Sequence, residues 1–298
     1  MLRRIIYALI PAVISLFLFA SCSKDDMPGT EPEQTIPPQK IRFNMAYATP
    51  DNGAIGTRVA VSTDGNYTNT WQEGDKVGVM IIDDKKGYSP INRNLAQNMP
   101  MTYKGGRWEY TLPDICTYYP KDGTLSFIAY FPYMEELFNF SDVVVSITSL
   151  EDSKYLHFLY AKKMRVSNTS EPVTLEFSPL QACIELSVKG GNDRIITELH
   201  GCDINFAFYV ETGKVEGFDI IKSLKLSRVE QPGDADYTTR YTYRAFIIPQ
   251  TIAAGTELFL FKDGEKQWTY RTTEEIKLEA GQVKPFEITL KPVIDPSH

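Results

Sequence analysis

The chain has 298 residues, and its 38 acidic and 31 basic residues give a formal net charge of −7. An acidic chain without a basic patch has no electrostatic basis for binding nucleic acid, so nucleic acid is excluded as a partner. Apolar residues make up 43% of the sequence, which is enough for a large buried core.

Residues 1–21 have the features of a secretory signal peptide. Arg3 and Arg4 form a short basic region, and residues 5–19 form an apolar stretch that precedes small residues. A transmembrane anchor is the alternative, but a membrane span needs about 20 apolar residues. Polar residues follow directly after Cys22, so we predict a signal peptide.

The end of this stretch, Leu18 to Cys22, resembles a bacterial lipobox. The resemblance implies cleavage between Ser21 and Cys22 and attachment of acyl chains to Cys22. Several acyl chains hold a protein on a bilayer stably. We therefore predict that the mature chain, with 29 basic and 38 acidic residues after the loss of two arginines, is anchored to the outer membrane through lipid.

Residues 22–40 are predicted to form a lipidated tether. The segment contains four prolines and almost no apolar residues, so it cannot bury enough surface to fold. Extended, residues 23–40 would span about 55 Å at ~3.1 Å per residue. Its start, Ser23 to Asp26, resembles the charged signal that directs Bacteroidota lipoproteins to the cell surface. The alternative is a solvated linker.

Alternation with a period of two begins directly after the tether. Ile41, Phe43, Met45 and Tyr47 lie on one face of a predicted half-buried strand. A tight turn then follows Trp71, which we interpret as a core residue beneath the turn, and Gly74 suits a position with unusual φ.

Short strands separated by turn signals continue to the end of the chain. The Gly-Gly pair within Lys104–Arg107 predicts a hairpin, and Val77, Val79 and Ile81 alternate in the strand before it. The only short helix candidates are Met134–Phe138 and Asp193–His200. The pattern predicts an all-β fold with two antiparallel β-sandwich domains in series, residues 41–168 and 169–298, separated by the polar break that starts at Asn168.

No motif for catalysis or for a cofactor is present in the sequence. The histidines, His157, His200 and His298, form no nucleophile or metal motif, and Asp83 and Asp84 are interpreted as turn residues. We therefore predict no enzyme activity, no cofactor and no metal site. The remaining cysteines, Cys116, Cys183 and Cys202, are either buried thiols or include a Cys183–Cys202 disulfide.

Several motifs lie along the chain, and we expect their residues to be structural. These residues are Trp71, Gly74, Asp75, Gly78, Tyr130, Pro132 and Tyr133. Together the motifs resemble those of the fimbrillin family of Bacteroidota pilins and pilin-like lipoproteins. The resemblance extends over nearly the whole mature chain and implies two transthyretin-like β-sandwich domains. One departure is Ser178-Pro179, where many relatives carry a histidine.

The resemblance implies assembly by exchange of a strand. In the family, a protease cuts after an arginine in the loop that follows the first strand, which here matches Arg58 and Val59. Loss of the first strand leaves a groove, and a strand from another pilin subunit fills it. The alternative is that Arg58 is an ordinary loop residue in an uncut protein.

Two functions are therefore predicted. The first is a structural or adhesive pilus component of tip or accessory type, because the tail, Lys291 to His298, contains two prolines and makes a poor donor strand. The second is a monomeric surface lipoprotein that binds a glycan or a host protein. Its candidate binding residues are Trp108, Trp268, Tyr118 and Tyr119.

Overall fold

The computed structural model of the protein describes twelve residues before the first long gap and most of the chain from residue 70 onwards. The described residues are 37–48, 70–88, 94–111, 117–135, 137, 142–145, 158–190, 194–219, 223–229 and 240–290. They form β-strands and no α-helix, which confirms the predicted all-β class. No helix among them could cross a membrane.

The strands are short, and turns or bends separate most of them. In chain order they are β1 (Phe43–Tyr47), β2 (Lys76–Asp83), β3 (Ala96–Lys104), β4 (Arg107–Tyr110), β5 (Thr124–Phe131), β6 (Asp142–Val145), β7 (Leu159–Ser167), β8 (Val173–Pro179), β9 (Ala182–Lys189), β10 (Ile196–Leu199), β11 (Asn205–Tyr209), β12 (Lys214–Asp219), β13 (Leu224–Lys225), β14 (Ser227–Val229), β15 (Arg240–Ile247), β16 (Gln250–Ile252), β17 (Glu257–Asp263), β18 (Lys266–Arg271), β19 (Ile276–Leu278) and β20 (Val283–Thr289).

The first sheet has seven strands in the order β1-β8-β7-β5-β2-β3-β4. The predicted hairpin joins β3 to β4, with Gly105 at φ 57° and Gly106 at φ 80°. Only the last two residues of β8 pair with β7, and the preceding residues of β8, from Val173 to Phe177, pair with β1. The remaining strands form smaller sheets in the orders β14-β15-β9-β20, β13-β10-β17-β18, β12-β11-β6 and β16-β19.

Two strand pairs depart from the predicted antiparallel arrangement. Strand β1 is parallel to β8, and β20 is parallel to β9. Parallel neighbours require a long crossover connection. In both cases that connection is supplied by other strands, because β1 and β20 pair with strands that are distant in sequence. All other strand pairs among the described residues are antiparallel, as predicted, so β1 and β20 are exceptions within that arrangement.

The central strands of the first sheet are buried on both faces. On β2, Val77, Val79 and Ile81 belong to one core cluster, which also contains inward residues of β1 and β8. Met80 and Ile82 belong to a second cluster, which consists mainly of residues after 180. The described strands before and after residue 168 therefore share a core.

Strand pairing also crosses the predicted boundary after residue 168 in both directions. Strand β8, placed in the second half by sequence, pairs with β1 and β7 of the first sheet. Strand β6, placed in the first half, pairs with β11. The sheets therefore do not divide at residue 168, and the number of domains stays a prediction.

Two further details bear on predictions made from the sequence. Residues 196–199, within one helix candidate, form β10 instead, with Thr197 and Leu199 buried, and β10 pairs with β13 and β17. No disulfide joins Cys183 and Cys202; both are buried, which agrees with the alternative of buried thiols. Burial, with a contribution from the nearby Asp203 carboxylate, raises the pKa of Cys202 to about 12.

Candidate functional site around the first strand

The first strand buries one face and exposes the other. Ile41, Phe43 and Met45 are at most 8% exposed, and Tyr47 packs at the edge of the same cluster. Arg42 and Asn44, on the opposite face, are exposed. The predicted alternation is observed, and it results from packing against the core that lies beneath β2 and β5.

Strand β1 is the last strand of its sheet. On one side it pairs with β8, from Phe43 opposite Val173 to Tyr47 opposite Phe177. On the other side, the N–H group of Ile41 donates a hydrogen bond to the carbonyl oxygen of Thr117 at 3.0 Å. We call the space lined by these neighbours and by the core beneath β1 the strand groove.

Side chains reach the free edge of β1 and bind its main chain. The Tyr110 hydroxyl donates a 2.7 Å hydrogen bond to the carbonyl oxygen of Ile41. The Trp71 Nε1 group donates a 2.8 Å hydrogen bond to the carbonyl oxygen of Met45. These carbonyl groups therefore have partners although no further strand lies beside them in the described sheet.

Trp71 is the centre of an aromatic cluster at one end of the strand groove. Its ring stacks on Tyr47 with ring centroids 4.6 Å apart. It also makes edge contacts with Trp108, Phe131 and Phe177. The interpretation of Trp71 as a core residue beneath the turn agrees with this position. Burial, reinforced by the negative charge of Asp75, raises the pKa of the Tyr47 hydroxyl.

The turn after Trp71 is fixed by its own residues. Gly74 has a φ of 87°, as its predicted turn position requires. The Asp75 carboxylate accepts a 2.7 Å hydrogen bond from the N–H group of Gln72. The N–H group of Gly74 donates to the carbonyl oxygen of Tyr103, which ties the turn to β3.

A buried polar network is built around Tyr130, and Gly78 lies beside it. Tyr130 donates a 2.5 Å hydrogen bond to Oδ1 of Asn98, and Asn98 Nδ2 donates to the carbonyl oxygen of Met134 at 2.8 Å. Gly78 lies beside the Tyr130 ring. Burial is the main cause that raises the pKa of Tyr130. Sequence reasoning missed Asn98, whose φ of 48° is unusual for a non-glycine residue.

The chain then turns at Pro132 and Tyr133, the last two motif residues. The peptide bond between Phe131 and Pro132 is cis. The N–H group of Tyr133 donates a 3.0 Å hydrogen bond to the carbonyl oxygen of Lys76 at the start of β2. The motif residues therefore lie around the start of β2, and those nearest to Trp71 also border the strand groove.

Other predicted site residues lie outside the described residues. These are Ser21, Cys22, Arg58, Val59, Cys116 and His157. Of the candidate ligand-binding aromatics, Tyr119 is buried, and Trp108 and Trp268 are partly buried against the core. Only Tyr118 of the four is exposed, at 52%.

Comparisons with known proteins agree with this fold. The sequence profile named "Fimbrillin-like" matches residues 57–297. A Bacteroides uniformis protein named "Putative fimbrium subunit Fim1C" is 24% identical over 204 residues. That match covers 67% of this chain and 61% of the relative, so this chain spans less than two thirds of the relative's length.

Solved structures have a similar fold at low sequence identity. A protein described as a "putative cell adhesion protein" from Bacteroides uniformis has a TM-score of 0.60 and 14% identity, with 85% of this chain and 93% of that chain covered. One with the same description from Bacteroides ovatus has a TM-score of 0.58 and 17% identity, with 85% and 91% covered. Because the family profile matches most of the sequence, the chain belongs to the fimbrillin-like family.

Proposed function

We propose that this protein is a non-enzymatic pilus component on a bacterial cell surface, which joins other pilin subunits by exchange of a strand. Its membership of the fimbrillin-like family supports this role. The name of its relative, a fimbrium subunit, points in the same direction.

The position of β1 is the observation that carries the proposal. The strand lies at the edge of its sheet, and its inward side chains fill a groove in the core. Its removal would uncover the core surface that Ile41, Phe43 and Met45 cover. The burial of each such large side chain contributes roughly 1.5–3 kcal/mol. A strand from another subunit with apolar residues at every second position would restore this burial.

Processing and anchoring complete the proposed mechanism. Lipid on Cys22 holds the chain at the outer membrane until a protease cuts between Arg58 and Val59. The cut releases residues 22–58, which include the displaced strand formed by Ile41, Phe43, Met45 and Tyr47. Pro292 and Pro296 make the segment after β20 a poor donor strand, which supports a tip or accessory position, in which a subunit accepts a strand without donating one.

The mass of the N-terminal peptide, measured on protein isolated from the cell surface, tests this mechanism. A peptide that begins at Val59 is expected, and an Arg58→Ala variant should lack it and should fail to enter pili. An acylated peptide that begins at Cys22 in assembled pili would contradict the loss of the first strand.

The alternative role, capture of a glycan or a host protein by a monomeric lipoprotein, has one exposed aromatic residue to support it. Tyr118 lies beside the start of the strand groove, where it pairs with Lys40 in an isolated bridge. A glycan-array signal that Tyr118→Ala abolishes in a folded, monomeric protein would favour this role over assembly.

A further inference from the structure

Three side chains hold β1 and the residues before it by their main chain. Besides the bonds from Tyr110 to Ile41 and from Trp71 to Met45, the Asn168 side chain makes two contacts. Its Nδ2 group donates to the carbonyl oxygen of Pro37, and its Oδ1 atom accepts from the N–H group of Gln39, both at 3.2 Å. All four hydrogen bonds end on main-chain atoms, which every residue provides except for the N–H group that proline lacks.

The direction of the main-chain groups shows which side of β1 these contacts hold. The N–H group of Val173 donates a 2.8 Å hydrogen bond to the carbonyl oxygen of Arg42. The N–H group of Ala48 donates a 2.9 Å hydrogen bond to the carbonyl oxygen of Phe177. The even-numbered residues therefore turn their main chain towards β8. The carbonyl groups of Ile41 and Met45 point the other way, while their side chains point into the core.

A shift by one residue would reverse both directions together. The carbonyl groups of Ile41 and Met45 would turn away from Trp71 and Tyr110, and those of neighbouring residues would take their places, whereas the apolar side chains would leave the core. The contacts at the edge therefore hold the main chain, and the packing in the core selects the register. The Asn44 side chain, in contrast, is exposed and takes part in neither.

We propose that Trp71, Tyr110 and Asn168 form a main-chain clamp, whose members are positioning residues that hold the main chain of the strand in the groove. The clamp acts on β1 in the uncut chain and, if the proposed strand exchange holds, on an extended segment of a second subunit. The core beneath β1 requires apolar side chains at every second position of that segment. The clamp leaves the outward side chains unrestricted.

Hydrogen exchange of the β1 amides in the full chain tests the clamp. Trp71→Phe and Tyr110→Phe each remove one donor and keep an aromatic ring. Each is expected to accelerate exchange at Asn44, Ala46 and Ala48 by about tenfold, because a buried carbonyl group loses its partner. Amides of β5 should exchange at the wild-type rate.

The chain offers a matched control. The Tyr119 hydroxyl is buried near the groove and makes no hydrogen bond within the described structure. Tyr119→Phe should therefore leave exchange in β1 unchanged. Asn44→Thr should do the same, because the clamp does not contact this side chain.

Unchanged β1 exchange in Trp71→Phe and Tyr110→Phe would overturn the clamp. Acceleration of equal size in β1 and β5, or in the controls, would also overturn it, because the effect would then be a general loss of stability. The test uses uncut chain and does not depend on assembly. If the N-terminal peptide begins at Cys22 but the clamp variants release β1, strand exchange fails and the clamp stands.

Discussion

Gly78 on β2 lies directly opposite Tyr130 on β5, and the tyrosine ring occupies the space that a side chain at residue 78 would need. A Cβ atom there would overlap the ring and would come close to Oδ1 of Asn98. The glycine therefore provides space for the buried network. Gly74, in contrast, has no atom near its missing Cβ and is required for its positive φ.

The two glycines should differ in their response to the same substitution. Gly78→Ala is expected to lower the free energy of unfolding by about 3 kcal/mol, because the ring and the amide must both move. Gly74→Ala should cost about 1 kcal/mol for the left-handed backbone. Urea denaturation of both variants measures the difference, and equal losses would contradict the close packing at Gly78.

The Tyr130 hydroxyl and the Asn98 amide should be energetically coupled. Tyr130→Phe leaves Asn98 Oδ1 without its buried donor and is expected to cost about 1–3 kcal/mol. In a double-mutant cycle with Asn98→Ala, the combined loss should be smaller than the sum by about 1 kcal/mol or more. Additive losses would show that the two side chains contribute independently.

Substitutions on the two faces of β1 should differ in their effect on the free energy of unfolding. Phe43 packs edge-on against Phe127 with centroids 5.6 Å apart, so Phe43→Ala is expected to cost about 3–5 kcal/mol. Asn44→Ala, on the exposed face, should change stability by less than about 0.5 kcal/mol. Thermal or chemical denaturation of the full chain provides the comparison. Similar losses in both variants would argue against a packed groove.

The stability should depend on the protonation of Glu198. Lys262 Nζ lies 2.7 Å from its carboxylate and His200 lies 3.1 Å away, and the hydrogen bond from Lys262 is the main cause that lowers the pKa of Glu198. As the pH falls, the Glu198 carboxylate binds a proton in the unfolded chain before it does so in the folded chain. The contribution of Glu198 to stability is therefore complete above the ordinary pKa of a glutamate, and it is lost as the pH falls through the lowered pKa of the folded state.

A Glu198→Gln variant should lose part of this acid dependence. Its melting temperature is expected to fall less than that of the wild type when the pH is lowered from about 6 to about 3. Glu279→Gln is the control, because the Lys277–Glu279 pair is exposed and such pairs contribute little. If Glu279→Gln flattened the profile as strongly, the assignment to Glu198 would be wrong.

The tail after β20 should be dispensable for assembly. Deletion of Lys291–His298 is expected to leave pilus incorporation intact, because Pro292 and Pro296 prevent a regular strand ladder. Immunogold labelling of pili from cells that express the deleted chain measures incorporation. Loss of labelling with normal export would identify the tail as a donor strand.

Local features of the fold followed from the sequence because each depends on neighbouring residues. The alternation over residues 41–47, the turn at Gly74 and the Gly105-Gly106 hairpin were all predictable. A period of two reports that one face is buried, but it does not identify the partner strand or its direction. The parallel pairing of β1 with β8 and of β20 with β9 therefore remained hidden.

Two other features had weak signals in the sequence. The continuous apolar run from Val79 to Ile82 is typical of a strand buried on both faces, although its alternate residues also fit a half-buried strand. Asn98 lies between Gln97 and Met99 of β3, and asparagine tolerates positive φ better than most residues. Its role depends on Tyr130 and Met134, which are distant in sequence.

The parallel alignment of β1 with β8 has a mechanical consequence. The hydrogen bonds between the two strands lie across the strand axis, and they extend from residue 42 to residue 48. A pull on residue 37 along this axis would load all these bonds at once in shear. They would not open one after another, as they do when a strand is peeled from its end. Before any cleavage, the edge strand is thus arranged to resist tension along its length.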